Sequence, residues 1–338
     1  MKNKFFSKSY KNIFKHKKVF YEKNDDELIR VKKINKLYTK LPLRKNCKIC
    51  NKKFKKEHDF ISFGVKYSFC KFCSHLNGHH EETVNFLESL YKIDKKEVSS
   101  NIVYDLKNLN KRINDIYLPK IKFLKKIIGK KKITILDYGS GAGYFMNACD
   151  KVGYKCYGIE KDKKLIKLSN QINKLPSNFI NLNMLKDFIN DNKIDCVSAI
   201  NVLEHLENPI KFLKIFSSSN AKYLFISVPL VSFTIFLENA FSNVFPKQLG
   251  GAHTHLFTKK SLLVLFKKMN LEIIGEWWFG TDMPDLYRSI FISNKFNNKD
   301  VFNKQFNMLF SKYIDEFQNI FDRNEVSQEV HMILRKND

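Results

Sequence analysis

The amino-acid sequence predicts an α/β protein whose mostly parallel sheet is covered by helices on both faces. Three observations lead to this fold class. Short apolar runs typical of strands alternate with segments of helical spacing between residues 133 and 293. A glycine-rich turn follows the first of these runs. Two Cys-x2-Cys pairs lie nearer the N-terminus and predict a small metal-binding module ahead of the sheet.

The composition indicates a folded and strongly basic chain. It has 338 residues, and 43% of them are hydrophobic, which excludes wholesale disorder. The formal net charge is +26, and residues 1–56 supply +16 of it through 20 Lys and Arg against 4 Asp and Glu. Such a charge suits a nucleic acid or an anionic membrane, but an AT-rich genome gives the same bias towards Lys, Asn, Ile and Phe. We assign residues 1–45 to a basic N-terminal arm, of which Lys15–Lys18 is typical.

The apolar segments predict neither a membrane span nor a secretory signal. The N-terminal residues are positively charged but lack the apolar run of a signal peptide. The most apolar stretch, 223–237, is shorter than the roughly 20 residues that cross a bilayer, and Pro229 divides it. We expect a cytoplasmic protein, and the sequence does not indicate its oligomeric state.

Cys47, Cys50, Cys70 and Cys73 form the two Cys-x2-Cys pairs, which are separated by 19 residues. Each pair presents two thiolates from one tight turn, and four thiolates complete a tetrahedral zinc site. A site closed by four cysteines has no open position for catalysis. We therefore predict a structural zinc ion in a ribbon over residues 46–80.

The rest of the chain divides into three parts. Apolar positions recur at helical spacing over residues 81–129, which we interpret as a helical connector. Residues 130–294 carry the alternation of strands and helices, and residues 295–338 predict a C-terminal helical extension. The strands are expected at 133–138, 155–160, 194–200, 223–228, 271–278 and 288–293, and the helices at 144–152, 162–172, 209–216 and 258–269.

The glycine-rich turn DYGSGAG runs from Asp137 to Gly143, between the first of these strands and the first of these helices. Glycines at alternate positions permit a sharp turn and let a ligand contact bare main chain. Glu160 ends the next predicted strand, 17 residues after Gly143, where a carboxylate can accept both hydroxyls of a ribose. The pattern therefore predicts a ribose-containing ligand at this edge of the sheet.

The run LDYGSGAGYF resembles the first motif of class I S-adenosylmethionine (SAM)-dependent methyltransferases. A dinucleotide dehydrogenase would carry its third glycine one residue later. Further runs are similar, in the same order, to later motifs of that family: GIEKD to the acidic second motif, IDCVSAINVLEHLENP to the segment around the fourth strand, YLFISVP to the fifth strand, and HTHLFTKKSLLVLFKKMNLEII to the stretch before the sixth. The resemblance covers about residues 130–294 and implies a Rossmann-like, seven-stranded sheet with SAM as cofactor.

The resemblance also implies roles for individual residues. The amino-acid end of SAM would lie against Asp137 and the glycines, Glu160 would hold the ribose, and Lys161 would lie beside the adenine. The implied cofactor-binding residues are Asp137, Gly139, Gly141, Gly143, Glu160, Lys161, Asn183 and Asn201.

Candidate catalytic residues follow from the chemistry of methyl transfer. A hydroxyl or carbon nucleophile must be aligned with the methyl group and must lose its proton to a base, and histidine suits that task near neutral pH. His253 and His255 lie between the fifth strand and the next helix, and His205 follows the fourth strand, with Glu204 placed to orient a histidine. Each of these side chains has a second interpretation as a packing or capping residue.

A four-cysteine module, a helical connector and a SAM domain in this order resemble methyltransferases of sugar and surface-polysaccharide biosynthesis. That resemblance implies a small-molecule acceptor such as a sugar, nucleotide-sugar or glycan precursor. The alternative is an RNA or protein methyltransferase that grips its polymer with the ribbon and the basic arm, although AINVLEHL lacks the Asn/Asp-Pro-Pro-aromatic motif of amino-methylating nucleic-acid enzymes. A non-catalytic scaffold is a third interpretation, which the intact glycine-rich turn disfavours.

Overall fold

The structure is a computed structural model that describes residues 3–10, 19–87, 89–90, 109–251, 253–296 and 300–337. Lys15–Lys18 and residues 91–108 of the predicted connector lie outside the described residues. The strands are β1 Asn3–Phe6, β2 Phe60–Ser62, β3 Val65–Phe69, β4 Leu76–Gly78, β5 Thr134–Tyr138, β6 Lys155–Ile159, β7 Ser177–Asn178, β8 Cys196–Ile200, β9 Tyr223–Pro229, β10 His255–Leu256, β11 Leu271–Phe279 and β12 Glu329–Lys336.

The first helix lies in the N-terminal arm, and the others lie between the strands of the described chain. They span Val19–Glu22, Asn24–Tyr38, Leu109–Arg112, Leu118–Ile128, Tyr144–Lys151, Lys163–Ile172, Leu185–Asp191, Pro209–Ser218, Phe233–Ala240, Lys259–Lys268, Asp282–Phe296, Asp300–Phe310 and Ile314–Arg323. A π-helical turn, Ile113–Tyr117, connects two of them. Within the described ranges, none of these helices has the length and apolar character of a membrane span.

Eight strands form the main sheet in the order β1-β11-β12-β9-β8-β5-β6-β7. β12 pairs antiparallel with both of its neighbours, β9 and β11, and the other pairings of this sheet are parallel. The prediction of a mostly parallel α/β sheet is therefore confirmed. β1 adds an edge strand, from a part of the N-terminal arm where no strand was predicted.

Successive side chains of the central strands enter opposite layers of the core. On β5, Ile135 packs in one layer with Phe145, whereas its neighbour Leu136 packs in the other layer with Phe212. Side chains alternate between the two faces of a strand, so a strand covered by helices on both faces is apolar at every position. This explains why the central strands appear in the sequence as continuous apolar runs.

The prediction of a strand over residues 288–293 is wrong, because these residues belong to the helix Asp282–Phe296. The run RSIFIS contains the β-branched and aromatic residues typical of a strand, but its first two polar residues form hydrogen bonds in the helical conformation. Ser289 Oγ donates to the Asp285 carbonyl one turn earlier at 2.8 Å, and Arg288 Nη2 donates to the Phe245 carbonyl at 3.1 Å. Tertiary partners thus outweigh the local pattern.

The predicted C-terminal helical extension over residues 295–338 contains the helices Asp300–Phe310 and Ile314–Arg323, but it is wrong for residues 329–336, which form β12. Val330, Met332 and Leu334 enter one layer of the core and Ile333 enters the other. The strand lies between β9 and β11 and completes the backbone hydrogen bonding of both. It is therefore an internal strand of the sheet and not an appendage.

The four-cysteine module is joined to the main domain by a shared sheet. β2, β3 and β4 form an antiparallel sheet whose fourth strand, β10, comes from the main domain. Tyr38 and Tyr67 pack against Ile235 and Leu249 in the same core layer. The apolar segment 229–251 is therefore covered by the N-terminal part of the same chain.

A buried ionic cluster lies at this junction. Glu82 accepts hydrogen bonds from Arg44 at 2.7 Å and from Thr254, and its carboxylate lies 3.1 Å from Lys48 Nζ. Burial alone would raise the pKa of Glu82, but the charges of Lys48 and Arg44 lower it to about 2. Removing one member would leave a buried charge unpaired, which typically costs several kcal/mol. The cluster therefore fixes the module against the main domain.

Candidate active site

A cavity of about 410 Å³ lies at the carboxyl ends of the central strands. This is the edge at which open α/β sheets bind ligands. Four of the residues implied to bind the cofactor line it: Asp137, Gly139, Gly141 and Asn201. The cavity therefore coincides with the glycine-rich turn that the sequence singled out.

Two glycines explain why this turn can hold a ligand. Gly139 has φ +77° and Gly141 has φ +54°, a region of backbone conformation that favours glycine. A Cβ on Gly139 would lie 2.6 Å from a methyl group of Val202, so no larger residue fits there. A Cβ on Gly141 would meet nothing within 4 Å. Because Gly141 also lines the cavity, this open space is available to a ligand.

Asp137 provides a buried carboxyl group at the floor of the cavity. Its side chain is 3% exposed and accepts a hydrogen bond of 2.7 Å from Ser198 Oγ. Burial raises the pKa of Asp137 to about 7, although the Ser198 hydrogen bond and the charge of Lys120 act in the opposite direction. A cationic group bound next to this carboxyl would favour its ionised form.

Glu160 fastens the glycine-rich turn to the end of β6. Its carboxylate accepts backbone N–H groups from Gly141 at 2.8 Å, Lys161 at 2.6 Å and Asp162 at 3.0 Å. Neither Glu160 nor Lys161 is part of the cavity lining. Their roles towards ribose and adenine stay predictions.

Two other residues implied to bind the cofactor also lie outside the lining of this cavity. Gly143 is packed beneath the turn, where a Cβ would lie 2.2 Å from Ser169 Oγ. Asn183 is exposed, and its Oδ1 accepts a hydrogen bond of 3.1 Å from Lys211 Nζ. Gly143 thus shapes the turn from below, and the role of Asn183 at the adenine stays a prediction.

A polar cluster joins the ends of three neighbouring strands next to Asn201. Ser227 Oγ donates to Glu329 Oε1 at 2.7 Å and lies 3.4 Å from Asn201 Oδ1. Lys120 Nζ lies 3.9 Å from Glu329 Oε1. Asn201, Glu329 and Lys120 line the cavity. The arrangement places the Glu329 carboxylate and the Lys120 ammonium group on the side of the cavity that is away from Glu160.

Sequence reasoning missed the cations of this cavity. Lys8, Arg112 and Lys120 line it together with Tyr117, and they come from β1's flank and from the helices around the π-helical turn. Lys120 is 5% exposed, and Arg112 Nε is buried without a hydrogen-bond partner among the described residues. For Lys8 the basic excess of residues 1–56 was the available signal, and it was interpreted as a basic N-terminal arm, whereas Arg112 and Lys120 fall in the predicted helical connector.

His255 lies at the junction with the four-cysteine module and not in the cavity lining. It is fully buried in β10, and its Nδ1 is 3.0 Å from His75 Nε2. His75 Nδ1 is in turn 3.3 Å from Ser261 Oγ in the next helix. Burial first, and then the charge of Lys48, hold the pKa of both histidines well below the ordinary value. The two neutral rings connect the module to the main domain.

Glu204, His205 and His253 form a second cluster beside Asn201. The two imidazole rings lie 4.9 Å apart between centroids, and His205 Nε2 is 3.9 Å from Glu204 Oε1. Burial raises the pKa of Glu204 to about 8, and its Oε2 has no hydrogen-bond partner among the described residues. One ligand atom from each residue lies within 4.8 Å of the others, a set that could hold a metal ion. None of the three lines the cavity.

The four cysteines converge as the sequence predicts. Cys47 Sγ lies 3.6 Å from Cys73 Sγ, and Cys50 Sγ lies 3.5 Å from Cys70 Sγ. All four sulfur atoms fall within 4.8 Å of one another, and no disulfide joins them. A zinc ion with Zn–S bonds of about 2.3 Å separates its tetrahedral thiolates by about 3.8 Å. The four sulfur atoms therefore fit a tetrahedral zinc site.

The chain is similar to known methyltransferases. Residues 109–276 match the family model described as "Methyltransferase domain". Among solved structures, the chain is similar to a magnesium protoporphyrin IX methyltransferase from Synechocystis PCC 6803 with bound S-adenosylhomocysteine, at 11% identity and a TM-score of 0.46, covering 75% of this chain and 96% of that one. It is also similar to a SAM-dependent methyltransferase from Archaeoglobus fulgidus, at 17% identity and a TM-score of 0.42, covering 69% of this chain and 100% of that one. No curated protein matches the chain.

The family match begins at Leu109, in the helices that supply Arg112 and Lys120 to the cavity, and extends through the glycine-rich turn into β11. It therefore spans the central strands and most of the cavity described above. Residues 109–276 form a methyltransferase domain of the class I, SAM-dependent type.

Proposed function

We propose that this protein transfers a methyl group from SAM to a small acceptor of the sugar or nucleotide-sugar class. One observation carries the proposal. A single cavity joins the open main chain of Gly141 to a wall formed by Lys120 and Glu329. One end suits the cofactor and the other end has polar groups that can hold an acceptor.

The residues of the glycine-rich turn fit SAM. The space beside Gly141 is open to a ligand, and the Asp137 carboxyl lies where it can pair with the α-amino group of the methionine moiety. Arg112, whose Nε lacks a partner among the described residues, is suited to its carboxylate. Glu160 would hold the ribose with Lys161 and Asn183 nearer the adenine. When bound, the cofactor supplies a methyl group on a positively charged sulfur.

We assign the removal of the acceptor's proton to Glu329. Its carboxylate lines the cavity and is oriented by the 2.7 Å hydrogen bond from Ser227 Oγ. A base within the cavity can reach an acceptor hydroxyl directly, as general-base catalysis requires. His205 and His253, with Glu204, remain the alternative base, whereas the burial of His255 against His75 favours a structural role.

A small acceptor is favoured over a polymer because several basic residues of the N-terminal region point inward. Lys8 lines the cavity, and Arg44 and Lys48 form ion pairs with the buried carboxylate of Glu82. These side chains cannot contact the phosphates of an RNA surface. The four-cysteine module, which we propose holds a structural zinc ion, meets the main domain through β10.

Calorimetric titration with S-adenosylhomocysteine tests the cofactor assignment. We expect micromolar binding by the zinc-loaded protein, followed by methyl transfer from SAM to an acceptor found in a screen of nucleotide-sugars. Absence of binding by folded protein would remove the proposal and favour a scaffold. Methylation of RNA, with binding that persists at physiological salt, would favour the polymer alternative.

The base is tested once an acceptor is known. Glu329→Gln should lower kcat by roughly 10²- to 10⁴-fold, the usual contribution of general-base catalysis, and should leave cofactor affinity unchanged. A comparable loss in His205→Ala with little change in Glu329→Gln would transfer the role to the histidine cluster.

A further inference from the structure

The cavity contains more positive charge than its own carboxylates neutralise. Apart from Arg112, which we assign to the carboxylate of SAM, the charged groups of the wall beyond the glycine-rich turn are the ammonium groups of Lys8 and Lys120 and the carboxylate of Glu329. Glu329 is already occupied by Ser227 Oγ, and Lys120 Nζ approaches it only to 3.9 Å. Among the described residues, no carboxylate lies within 4 Å of Lys8 Nζ. Glu329 is therefore the one carboxylate that the described chain gives this wall beyond the glycine-rich turn, and it faces two ammonium groups.

Lys8 is held at the cavity by the chain on either side of it. Ser7, which has φ +62°, donates its N–H to the Trp278 carbonyl at 2.9 Å and accepts a hydrogen bond of 3.1 Å from Trp277 Nε1 at its own carbonyl. The N–H of Tyr10 donates to Asp315 Oδ1 at 2.8 Å. The Lys8 ammonium lies 5.8 Å from the centroid of the Phe279 ring. Its position is thus built into the fold.

Buried ammonium groups are costly unless an anion compensates them. Lys120 is 5% exposed and sits beside the aromatic ring of Tyr117, so water compensates it poorly. Burial and the mutual repulsion of the two lysines lower the pKa of Lys8 to about 8, and burial also lowers that of Lys120. A ligand that brings an oxyanion to this wall would supply the missing charge.

We propose that the acceptor carries an oxyanion, a phosphate or a carboxylate, that binds between Lys8 and Lys120. This inference rests on the proposed function, because it names the chemical class of the acceptor for that same cavity. Phosphate offers several strong acceptor oxygens to two donors that approach from different elements. A phosphorylated sugar or nucleotide-sugar matches this requirement, whereas an uncharged sugar brings no negative charge to Lys8 and leaves Lys120 with only its 3.9 Å approach to Glu329.

The test uses the protein saturated with S-adenosylhomocysteine and inorganic phosphate as the probe. We expect calorimetry to detect phosphate binding with a Kd on the order of 1 mM, as two charge-assisted contacts allow. Lys8→Met and Lys120→Met should each weaken phosphate binding at least tenfold. Lys122→Met is the matched control, because Lys122 is exposed on the same helix as Lys120, and it should bind phosphate like the unaltered protein.

Each outcome of this experiment decides the proposal. Equal phosphate binding in all variants, or none at concentrations far above that Kd, would overturn it. Weaker binding of S-adenosylhomocysteine in Lys8→Met and Lys120→Met, with phosphate binding unchanged, would also overturn it and assign the lysines to the cofactor. Acetate that binds as tightly as phosphate, with the same dependence on both lysines, would support the oxyanion site and identify its ligand as a carboxylate.

The failure of the oxyanion site is distinguishable from failure of the proposed function. If S-adenosylhomocysteine does not bind, the proposed function falls, and phosphate titration of the cofactor-free variants still reports on the lysine pair. Thermal unfolding of each variant shows whether it is folded before either titration is interpreted.

Discussion

Gly141 presents the most direct test of the cofactor site at the scale of a single residue. We predict that Gly141→Arg lowers the affinity for S-adenosylhomocysteine by roughly a hundredfold or more, because the new side chain fills the open space beside the main chain. Gly64→Arg is the matched control. Gly64 also has positive φ and open space at its Cβ, but it lies in the hairpin of the four-cysteine module. Wild-type affinity in Gly141→Arg would refute the site.

Asp137 should make cofactor binding depend on pH. Burial raises its pKa to about 7 in the free protein, so the carboxyl is mostly protonated at pH 6 and mostly ionised at pH 8. An α-amino group binds to the ionised form, and affinity for S-adenosylhomocysteine should therefore rise about tenfold over this interval. Calorimetry at several pH values measures it. Asp137→Asn should flatten the profile, and parallel profiles in the two proteins would contradict the pairing.

The same carboxyl has an opposite effect on the stability of the free protein. A group whose pKa is higher in the folded than in the unfolded chain binds its proton more tightly when folded, so its contribution is lost as pH rises through about 7. The free energy of unfolding should fall between pH 5 and pH 8 in the unaltered protein, and it should fall by a smaller amount in Asp137→Asn. Urea titrations across this range measure the difference, and identical curves would show that Asp137 does not carry it.

The glycine-rich turn was predictable because its residues are neighbours in sequence and each glycine has a local conformational reason. The cations of the cavity were not. Lys8 lies more than a hundred residues before the turn, and Arg112 and Lys120 lie on the helical segment before it, so only the fold brings the three side chains to the cavity. The sequence around a lysine does not show whether its side chain will be buried or exposed in the folded protein.

At the scale of elements, β1 is the part whose contribution is easiest to isolate. Phe5 lies edge-on to Phe123 at 5.4 Å between ring centroids and beneath the ammonium of Lys126. We predict that Phe5→Ala lowers the free energy of unfolding by about 1–2 kcal/mol through loss of these contacts. It should also increase hydrogen exchange over residues 3–10 and weaken phosphate binding, since β1 leads directly to Lys8.

Phe179→Ala provides the control for this variant, because Phe179 is 63% exposed at the opposite end of the main sheet. It should change neither the exchange of residues 3–10 nor the affinity for phosphate. Unchanged protection of residues 3–10 in Phe5→Ala would show that β1 is held without the aromatic contact.

Most of the strands and helices between residues 133 and 279 were predictable, because covered parallel strands are apolar throughout and several of the helices between them carry clear caps. The short strands β7 and β10 and the helix Leu185–Asp191 were not predicted. Thr258, for example, forms a reciprocal capping box with Ser261 at the start of the helix Lys259–Lys268. β12 was missed although VHMIL is a strand-like run, because the helical spacing upstream was extended through it. Its place in the sheet depends on two strands that are distant in sequence, since β9 lies about a hundred residues earlier and β11 about fifty residues earlier.

At the scale of the whole molecule, the zinc module should stabilise the main domain without entering the active site. We predict that a chelator lowers the free energy of unfolding and raises hydrogen exchange both over residues 46–82 and over residues 253–257, since β4 pairs with β10. Affinity for S-adenosylhomocysteine should stay within about threefold, because no residue of the module lines the cavity. Metal analysis and calorimetry on the same samples make the comparison.

Cysteine variants give the matched pair for this prediction. Cys50→Ala should lose the zinc ion, whereas Cys156→Ala, a buried cysteine of β6, should retain it. Loss of cofactor binding together with zinc in Cys50→Ala would show that the module is part of the active site.

The position of β12 has a consequence for how the sheet is made during synthesis. Translation produces β9 and β11 well before residues 329–336 leave the ribosome, so until then two apolar strands face each other across an unfilled gap. Unpaired strand edges of this kind are sites of aggregation. We therefore expect a nascent chain that is arrested before residue 329 to bind a chaperone at the unpaired edges of β9 and β11. Synthesis of β12 should displace the chaperone, because β12 pairs with both edges.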